Sequence, residues 1–332
     1  MRISVLGAGS WGTTLAALCS THHPTILWAR SAELAREIDE QHTNKAYLPG
    51  HSLPETLRAS ADLADVVGDA DVLIVAIPSS GFRDVLQLAA PDVRSWIPII
   101  SLTKGFEQGT LLRMTGVINE VLPGRPAAVL TGPNIATEII SGHAAASVLA
   151  TEDLSVARAL QEVLGRGLFR VYTNHDVIGC EVAGALKNVT AIATGIAEGL
   201  GVGDNTRAAV ISRGLAELTR LGVAMGGEPA TFAGLAGMGD LIVTCISRHS
   251  RNRHVGEELG KGRALGAIMA EMNMVAEGIN TASVAMELAL RHGIEMPICA
   301  VIERVLAGEL TAADVYTGLA RIDAPGHESD PY

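Results

Sequence analysis

The chain opens with a strand-like apolar stretch, Met1-Arg2-Ile3-Ser4-Val5-Leu6, that breaks at once into Gly7-Ala8-Gly9-Ser10-Trp11-Gly12. A strand that stops on glycines and restarts as a helix makes a turn tight enough for a pyrophosphate to meet backbone N–H groups at the helix N-terminus. Gly7 permits the turn, Gly9 admits a ligand close to the backbone, and Gly12 lets the helix pack against the sheet. The pattern therefore points to a dinucleotide, though by itself it selects no substrate. Trp11 has two readings, a cover over the cofactor or a wedge between helix and sheet.

The alternation that this turn begins continues along the first half. A helix is expected over 10–20 and a second strand over Thr25–Trp28, followed by a polar rise from Arg30 to Glu40. Apolar runs at 71–77, ended by Pro78, and at 96–102 read as buried strands, with shorter ones at 127–130, 144–149 and 169–172. Strands alternating with helical stretches imply α/β packing around a mostly parallel sheet. Near Asn174 the character changes, and helical stretches are expected over 176–200, 206–221, 251–259, 281–292 and 296–306. The expected organisation is a dinucleotide-binding domain over 1–175, a helical substrate domain over 176–322 and a flexible tail over 323–332.

A chain of 332 residues with 48% hydrophobic residues has material for two cores. Its formal charge of -11 disfavours nonspecific binding to nucleic acid or an anionic membrane, while leaving room for a local anion site built from a few cations. Cys19, Cys180, Cys245 and Cys299 form no CxxC, and the histidines make no HExxH pair, so the expectation is reduced thiols and no metal. Glycines interrupt the apolar N-terminus, and the apolar 182–200 stretch carries Lys187 and Glu198, so neither a signal peptide nor membrane insertion is expected. A cytoplasmic protein fits these features.

Several residues carry candidate chemistry. In nucleotide-binding folds of this kind an acid near the end of the second strand holds the ribose hydroxyls; here Arg30 stands there, able to pair with a 2′-phosphate or simply to face solvent. Lys104 follows another strand and can either reach an anion or remain a surface charge. Lys187 lies in a very apolar helix where an ammonium must be desolvated, which makes it a proton-transfer candidate; a snorkelling structural lysine is the alternative. Asp240, after Gly237-Met238-Gly239, can pair with a lysine, accept a substrate hydroxyl, or merely follow a glycine turn. Ser250, Arg251 and Asn252 are the donors a phosphate wants, and Ser250 also suits a helix N-cap.

Taken in order, GAGSWG, SLTKGFE, TGPNIATEI, GALKNVTAIATGIAEGLGVGDNTRAA, TFAGLAGMGDLIVTC, SRNRHVGEELGKG, MVAEGINTA and GIEMPI make the chain resemble the bacterial NAD(P)-dependent glycerol-3-phosphate dehydrogenase family from Gly7 to Ile298. The resemblance implies a Rossmann-like N-terminal domain with a mainly helical C-terminal domain. It also implies reversible reduction of dihydroxyacetone phosphate to sn-glycerol 3-phosphate with NAD or NADP, in a homodimer that supplies phospholipid synthesis. Carried over by position, Ser10, Trp11 and Arg30 would contact the nucleotide, with Lys104 near both ligands. Gly132 and Asn134 would line the substrate pocket and Ala136 would touch the cofactor; the family more often has a hydroxyl residue where Asn134 stands. Lys187 would transfer the proton, and Asp240, Ser250, Arg251 and Asn252 would complete the glycerol-phosphate site. Arg251, Val275 and Glu277 would also reach the cofactor. A hydroxy-acid dehydrogenase and a non-catalytic dinucleotide sensor are the competing readings.

Overall fold

A computed structural model describes residues 1–272 and 274–319. The expected tail over 323–332 lies outside the described residues. Contacts divide the chain into two compact units, the first running from Met1 to Glu181 and the second beginning at Val182.

The first unit is built on eight strands: β1 (Ile3–Leu6), β2 (Thr25–Trp28), β3 (Leu57–Ser60), β4 (Val72–Val75), β5 (Ile99–Ser101), β6 (Ala127–Thr131), β7 (Ala145–Ala150) and β8 (Phe169–Asn174). They form one sheet in the order β3-β2-β1-β4-β5-β6-β7-β8. All neighbours are parallel except β6 and β7, which run antiparallel. The first six strands follow the doubly wound Rossmann order, which reverses between β1 and β4, and ligands of such sheets bind beyond the strand ends at that reversal.

Both faces of the sheet are covered, which explains the unbroken apolar runs in its central strands. Ile3, Val5, Val72 and Ile74 point to one core with Leu15 and Ala16 of the helix Ser10–Ser20. Leu6, Leu73 and Val75 point to the other, with Phe82 and Leu86 of the helix Phe82–Ala89. The strand at 96–102 is shorter than expected because Pro98 lies just ahead of it, where its missing N–H breaks no bond while its carbonyl accepts from Leu73 N–H at 3.1 Å. β3 was not legible as a strand. It is an edge strand of four residues, and its Arg58 points outward to pair with Asp39 at 2.8 Å.

The second unit is helical. Helix Val177–Gly199 leads into it and is followed by Asp204–Ala224, Asp240–Ile246, Arg251–Gly260, Glu277–His292 and Pro297–Leu306, with shorter helices between. Val177–Gly199 is long and apolar enough to cross a membrane by length and composition, yet 94% of its apolar window is buried inside the fold. It crosses Arg251–Gly260 at backbone contact: a Cβ at Gly195 would run into the carbonyl of Arg253, and one at Gly256 into the carbonyl of Ile192. Glu217, 2% exposed, accepts from Ile298 N–H at 2.7 Å and Cys299 N–H at 3.1 Å, and so caps the first turn of Pro297–Leu306. Burial pushes its carboxyl up to about 7 against the pull of those two N–H groups.

Ion pairs run through the polar GLGVGDNTR stretch at the start of Asp204–Ala224. Arg207 pairs with Asp204 and, at 3.7 Å, with Glu198, and Glu198 also pairs with the buried Arg253. Charges there tie helix ends together.

Candidate active site

In the first unit the glycine turn has the form that the sequence implies. Gly7 has φ +110°, donates its N–H to the Trp28 carbonyl at 3.1 Å, and has no room for a side chain, since a Cβ would lie 2.6 Å from the Ala76 carbonyl oxygen. Gly12 packs so closely that a Cβ would strike the Gly7 carbonyl and sit 2.8 Å from the Ala76 Cβ. Gly9 is different. It is the N-cap of Ser10–Ser20, makes no side-chain cap, and a Cβ there would meet nothing within 4 Å. An uncapped helix N-terminus beside open space, at the reversal of a doubly wound sheet, fits a dinucleotide pyrophosphate.

Around that turn, Trp11 sets its ring edge-on to Phe169 with centroids 5.9 Å apart. Its Nε1 is buried without a hydrogen-bond partner among the described residues. Arg30 is exposed just past the end of β2. Lys104 is half-buried and donates to the Gly132 carbonyl at 2.8 Å, so the strand-end lysine and the turn after β6 are held together. Asn134 accepts from the Ser147 hydroxyl, while its Nδ2 is buried with no hydrogen-bond partner among the described residues. Ala136 opens the helix Ala136–Ile140, and its carbonyl accepts from the Thr14 hydroxyl at 3.4 Å.

In the second unit Lys187 is 5% exposed and does not snorkel. Its Nζ lies 2.8 Å from Asp240 Oδ1 and donates to Thr244 Oγ1 at 2.5 Å. Thr244 in turn donates to the Asp240 carbonyl at 2.6 Å, closing a triangle. A π-helical turn, Leu235–Gly239, sets the start of the helix that carries Asp240 and Thr244. Such turns recur at functional sites because they displace the residue that follows. Thr244 escaped the sequence reading, although it stands i+4 from Asp240 on one helix face and that spacing was available.

The proposed phosphate donors gather at the starts of two helices. Ser250 caps Arg251–Gly260, accepting from Arg253 N–H at 3.2 Å, so the N-cap reading holds for its side chain. Arg251 donates to the Val275 carbonyl at 2.7 Å, beside Glu277, which opens Glu277–His292. Asn252 donates to Asn188 Oδ1 at 3.0 Å and accepts from Gly278 N–H at 3.0 Å. The structure therefore brings Ser250, Arg251, Asn252, Val275 and Glu277 together, with Asn252 joining three helices. Arg251 retains further N–H donors for an anion.

All four cysteines are buried and unpaired, and burial pushes the Cys245 thiol up to about 11 and Cys19 up to about 12. Among the described residues no three His, Cys, Asp or Glu side chains gather as a metal site.

A Rossmann sheet with a glycine turn after its first strand, together with a helical unit built around a buried lysine, suits a dinucleotide-dependent oxidoreductase. Residues 2–157 match the model of the NAD-dependent glycerol-3-phosphate dehydrogenase N-terminus, and residues 176–317 that of the corresponding C-terminus. The chain is 57% identical to glycerol-3-phosphate dehydrogenase [NAD(P)+] 2 of Sphingopyxis alaskensis, over 100% of this chain and 99% of the relative. It is 52% identical to the Mycobacterium avium glycerol-3-phosphate dehydrogenase [NAD(P)+], over 98% and 96% of the two chains. The crystal structure of the Coxiella burnetii glycerol-3-phosphate dehydrogenase superposes with a TM-score of 0.92 at 36% identity, covering 96% of this chain and 98% of that one. The chain belongs to the NAD-dependent glycerol-3-phosphate dehydrogenase family.

Proposed function

We propose that Lys187 is the proton-transferring residue of this enzyme, held by Asp240 and Thr244. Family membership makes the chain an NAD(P)-dependent oxidoreductase that interconverts dihydroxyacetone phosphate and sn-glycerol 3-phosphate. The observation that carries the role of Lys187 is its triangle with Asp240 and Thr244: one buried ammonium, fixed by a carboxylate at 2.8 Å and a hydroxyl at 2.5 Å.

The bound nicotinamide supplies or accepts the hydride. As the ketone is reduced, negative charge grows on its oxygen; the Lys187 ammonium stabilises that charge and delivers a proton to the oxygen. In the oxidising direction neutral Lys187 takes the hydroxyl proton. Asp240 and Thr244 keep Nζ in place, so little reorganisation is needed as charge develops.

The first unit serves as the nucleotide-binding domain and the second as the substrate domain. Gly7, Gly9, Ser10, Trp11 and Gly12 form the nucleotide site, Gly7 and Gly12 by shaping the turn, with Ala136 beside them. Arg30, standing where an acid would favour NAD alone, supports acceptance of a 2′-phosphate. Lys104, Gly132, Asn134, Ser250, Arg251 and Asn252 receive the glycerol phosphate, and the unmatched Asn134 Nδ2 and the remaining Arg251 N–H groups suit its oxygens. Arg251, Val275 and Glu277 are also assigned to the cofactor. We place the enzyme in the cytoplasm as a homodimer without membrane insertion; burial of Val177–Gly199 supports the last point.

Lys187→Ala tests the central role. Turnover falls by about 10²–10⁴-fold, the range of a lost general acid-base group, while the Kd for NADH stays within about twofold. Near-normal turnover in the variant would remove Lys187 from the chemistry.

A further inference from the structure

Asn44 lies in the segment between the helix Ala32–Gln41 and β3, and it is completely buried. Its Nδ2 donates to the Ala8 carbonyl at 3.0 Å and to the Thr13 hydroxyl at 2.9 Å. Its Oδ1 accepts from Tyr47 N–H at 3.2 Å. A backbone carbonyl at one end and a backbone N–H at the other leave the carboxamide only one orientation. The same segment is fastened twice more: the Asn44 carbonyl accepts from Leu48 N–H at 2.7 Å, and the Ser10 hydroxyl donates to the Tyr47 carbonyl at 2.9 Å. A residue far from Gly7–Gly12 in sequence thus grips the middle of that turn.

In a planar trans peptide the C=O and the N–H of the next residue point in opposite directions. The Ala8 carbonyl is turned inward onto Asn44, so the Gly9 N–H is turned outward. Gly9 itself borders open space, since a Cβ there would meet nothing within 4 Å. Without the Asn44 donor, the Ala8–Gly9 peptide can rotate and present its carbonyl oxygen to the same space. A carbonyl dipole aimed at a pyrophosphate repels it, whereas an N–H attracts it.

We propose that Asn44 is a positioning residue for the dinucleotide, holding the Ala8–Gly9 peptide with its N–H toward the pyrophosphate. The inference rests on the reading of Gly7–Gly12 as the pyrophosphate turn. Thr13 belongs to the same device, as the second acceptor that stops the carboxamide from swinging away from Ala8.

The test is the Kd for NADH, read by fluorescence on the full-length protein. Asn44→Asp has nearly the same shape but sets a carboxylate against the Ala8 carbonyl, and at pH 8 it raises the Kd by about tenfold or more. The KM for dihydroxyacetone phosphate and kcat at saturating NADH stay within about twofold, a split that general loosening of the fold would not produce. The deficit relative to wild type narrows toward pH 5.5, where a protonated carboxyl can again donate to Ala8. Asn44→Ser, too short to reach the carbonyl, weakens NADH by a similar factor without the pH-dependent recovery, and carries the test should Asn44→Asp fail to fold. An unchanged Kd in either folded variant overturns the proposal, as does an equal loss in the KM for dihydroxyacetone phosphate. Gly9→Asp separates the two levels of the argument. If it abolishes NADH binding while the folded Asn44 variants bind normally, the role of Asn44 fails and the turn stands; if it also binds normally, the turn itself is misassigned and both readings fall.

Discussion

Around Gly7–Gly12 the groups the turn offers are peptide N–H groups at an uncapped helix start, and the buried Asn44 side chain bonds the Ala8 carbonyl within it. Around Lys187 the relation is inverted: the backbone is closed into helices, and the polar groups on offer are buried charged side chains paired with one another. The two regions consequently fail in different ways. A site made of backbone is vulnerable to added atoms, because Gly7 and Gly12 have no space for a Cβ. A site made of buried charge is vulnerable to removed atoms, because each partner neutralises another that water cannot reach.

Asp240→Ala tests the charge-built half most severely. Leaving the Lys187 ammonium buried and unpaired costs about 3–5 kcal/mol of unfolding free energy, measured by urea denaturation. Adding Lys187→Met to that variant recovers a large part of the loss, since no uncompensated charge then remains. Failure of the double substitution to recover stability would show that Asp240 matters through packing rather than through charge.

Glu217 sharpens the same half by pH. Its carboxyl titrates at about 7 in the folded chain against an ordinary value of 4.5, so between those two pH values the folded state holds more proton than the unfolded state. Stability contributed by this group is therefore highest below the ordinary carboxylate value and declines as pH rises toward 7, by about 3 kcal/mol in all. Denaturation of wild type and Glu217→Gln at pH 5 and pH 8 reads it: the advantage of wild type shrinks across that interval. An advantage that does not change with pH would mean that the cap is ionised throughout.

For the backbone-built half, Gly12→Ala should give the smallest of these changes in stability, about 1–3 kcal/mol from overpacking against Gly7 and Ala76. It should also raise the Kd for NADH, because the helix start must shift to make room. A loss of stability with unaltered NADH affinity would separate the packing of the turn from its ligand role.

The same contrast governs how much of the molecule is legible in its sequence. The glycine turn was legible because φ +110° at Gly7 and the helix-to-sheet approach at Gly12 each demand one residue type. The central strands were legible because both faces of the sheet are covered and their apolar runs are unbroken, whereas β3 hid at the edge with Arg58 facing out. Lys187 announced itself by standing in an apolar helix. Its company was harder to read: Thr244 is an ordinary threonine until the helix brings it under the ammonium, and Asn44 sits in a polar segment with nothing to link it to Ala8. Long-range hydrogen bonds leave no local pattern in a sequence. Ser250 shows the converse, since a helix N-cap and a phosphate donor call for the same residue.

The four thiols have a practical consequence. Cys19 and Cys180 lie in the sheet-containing unit and Cys245 and Cys299 in the helical one, all of them buried and unpaired. Burial raises each of them above the ordinary thiol range and leaves very little thiolate to react. The chain thus carries an internal pair of clocks: under native conditions an alkylating reagent reaches a thiol only when the structure around it opens, and the identity of the tagged cysteine records which unit opened first.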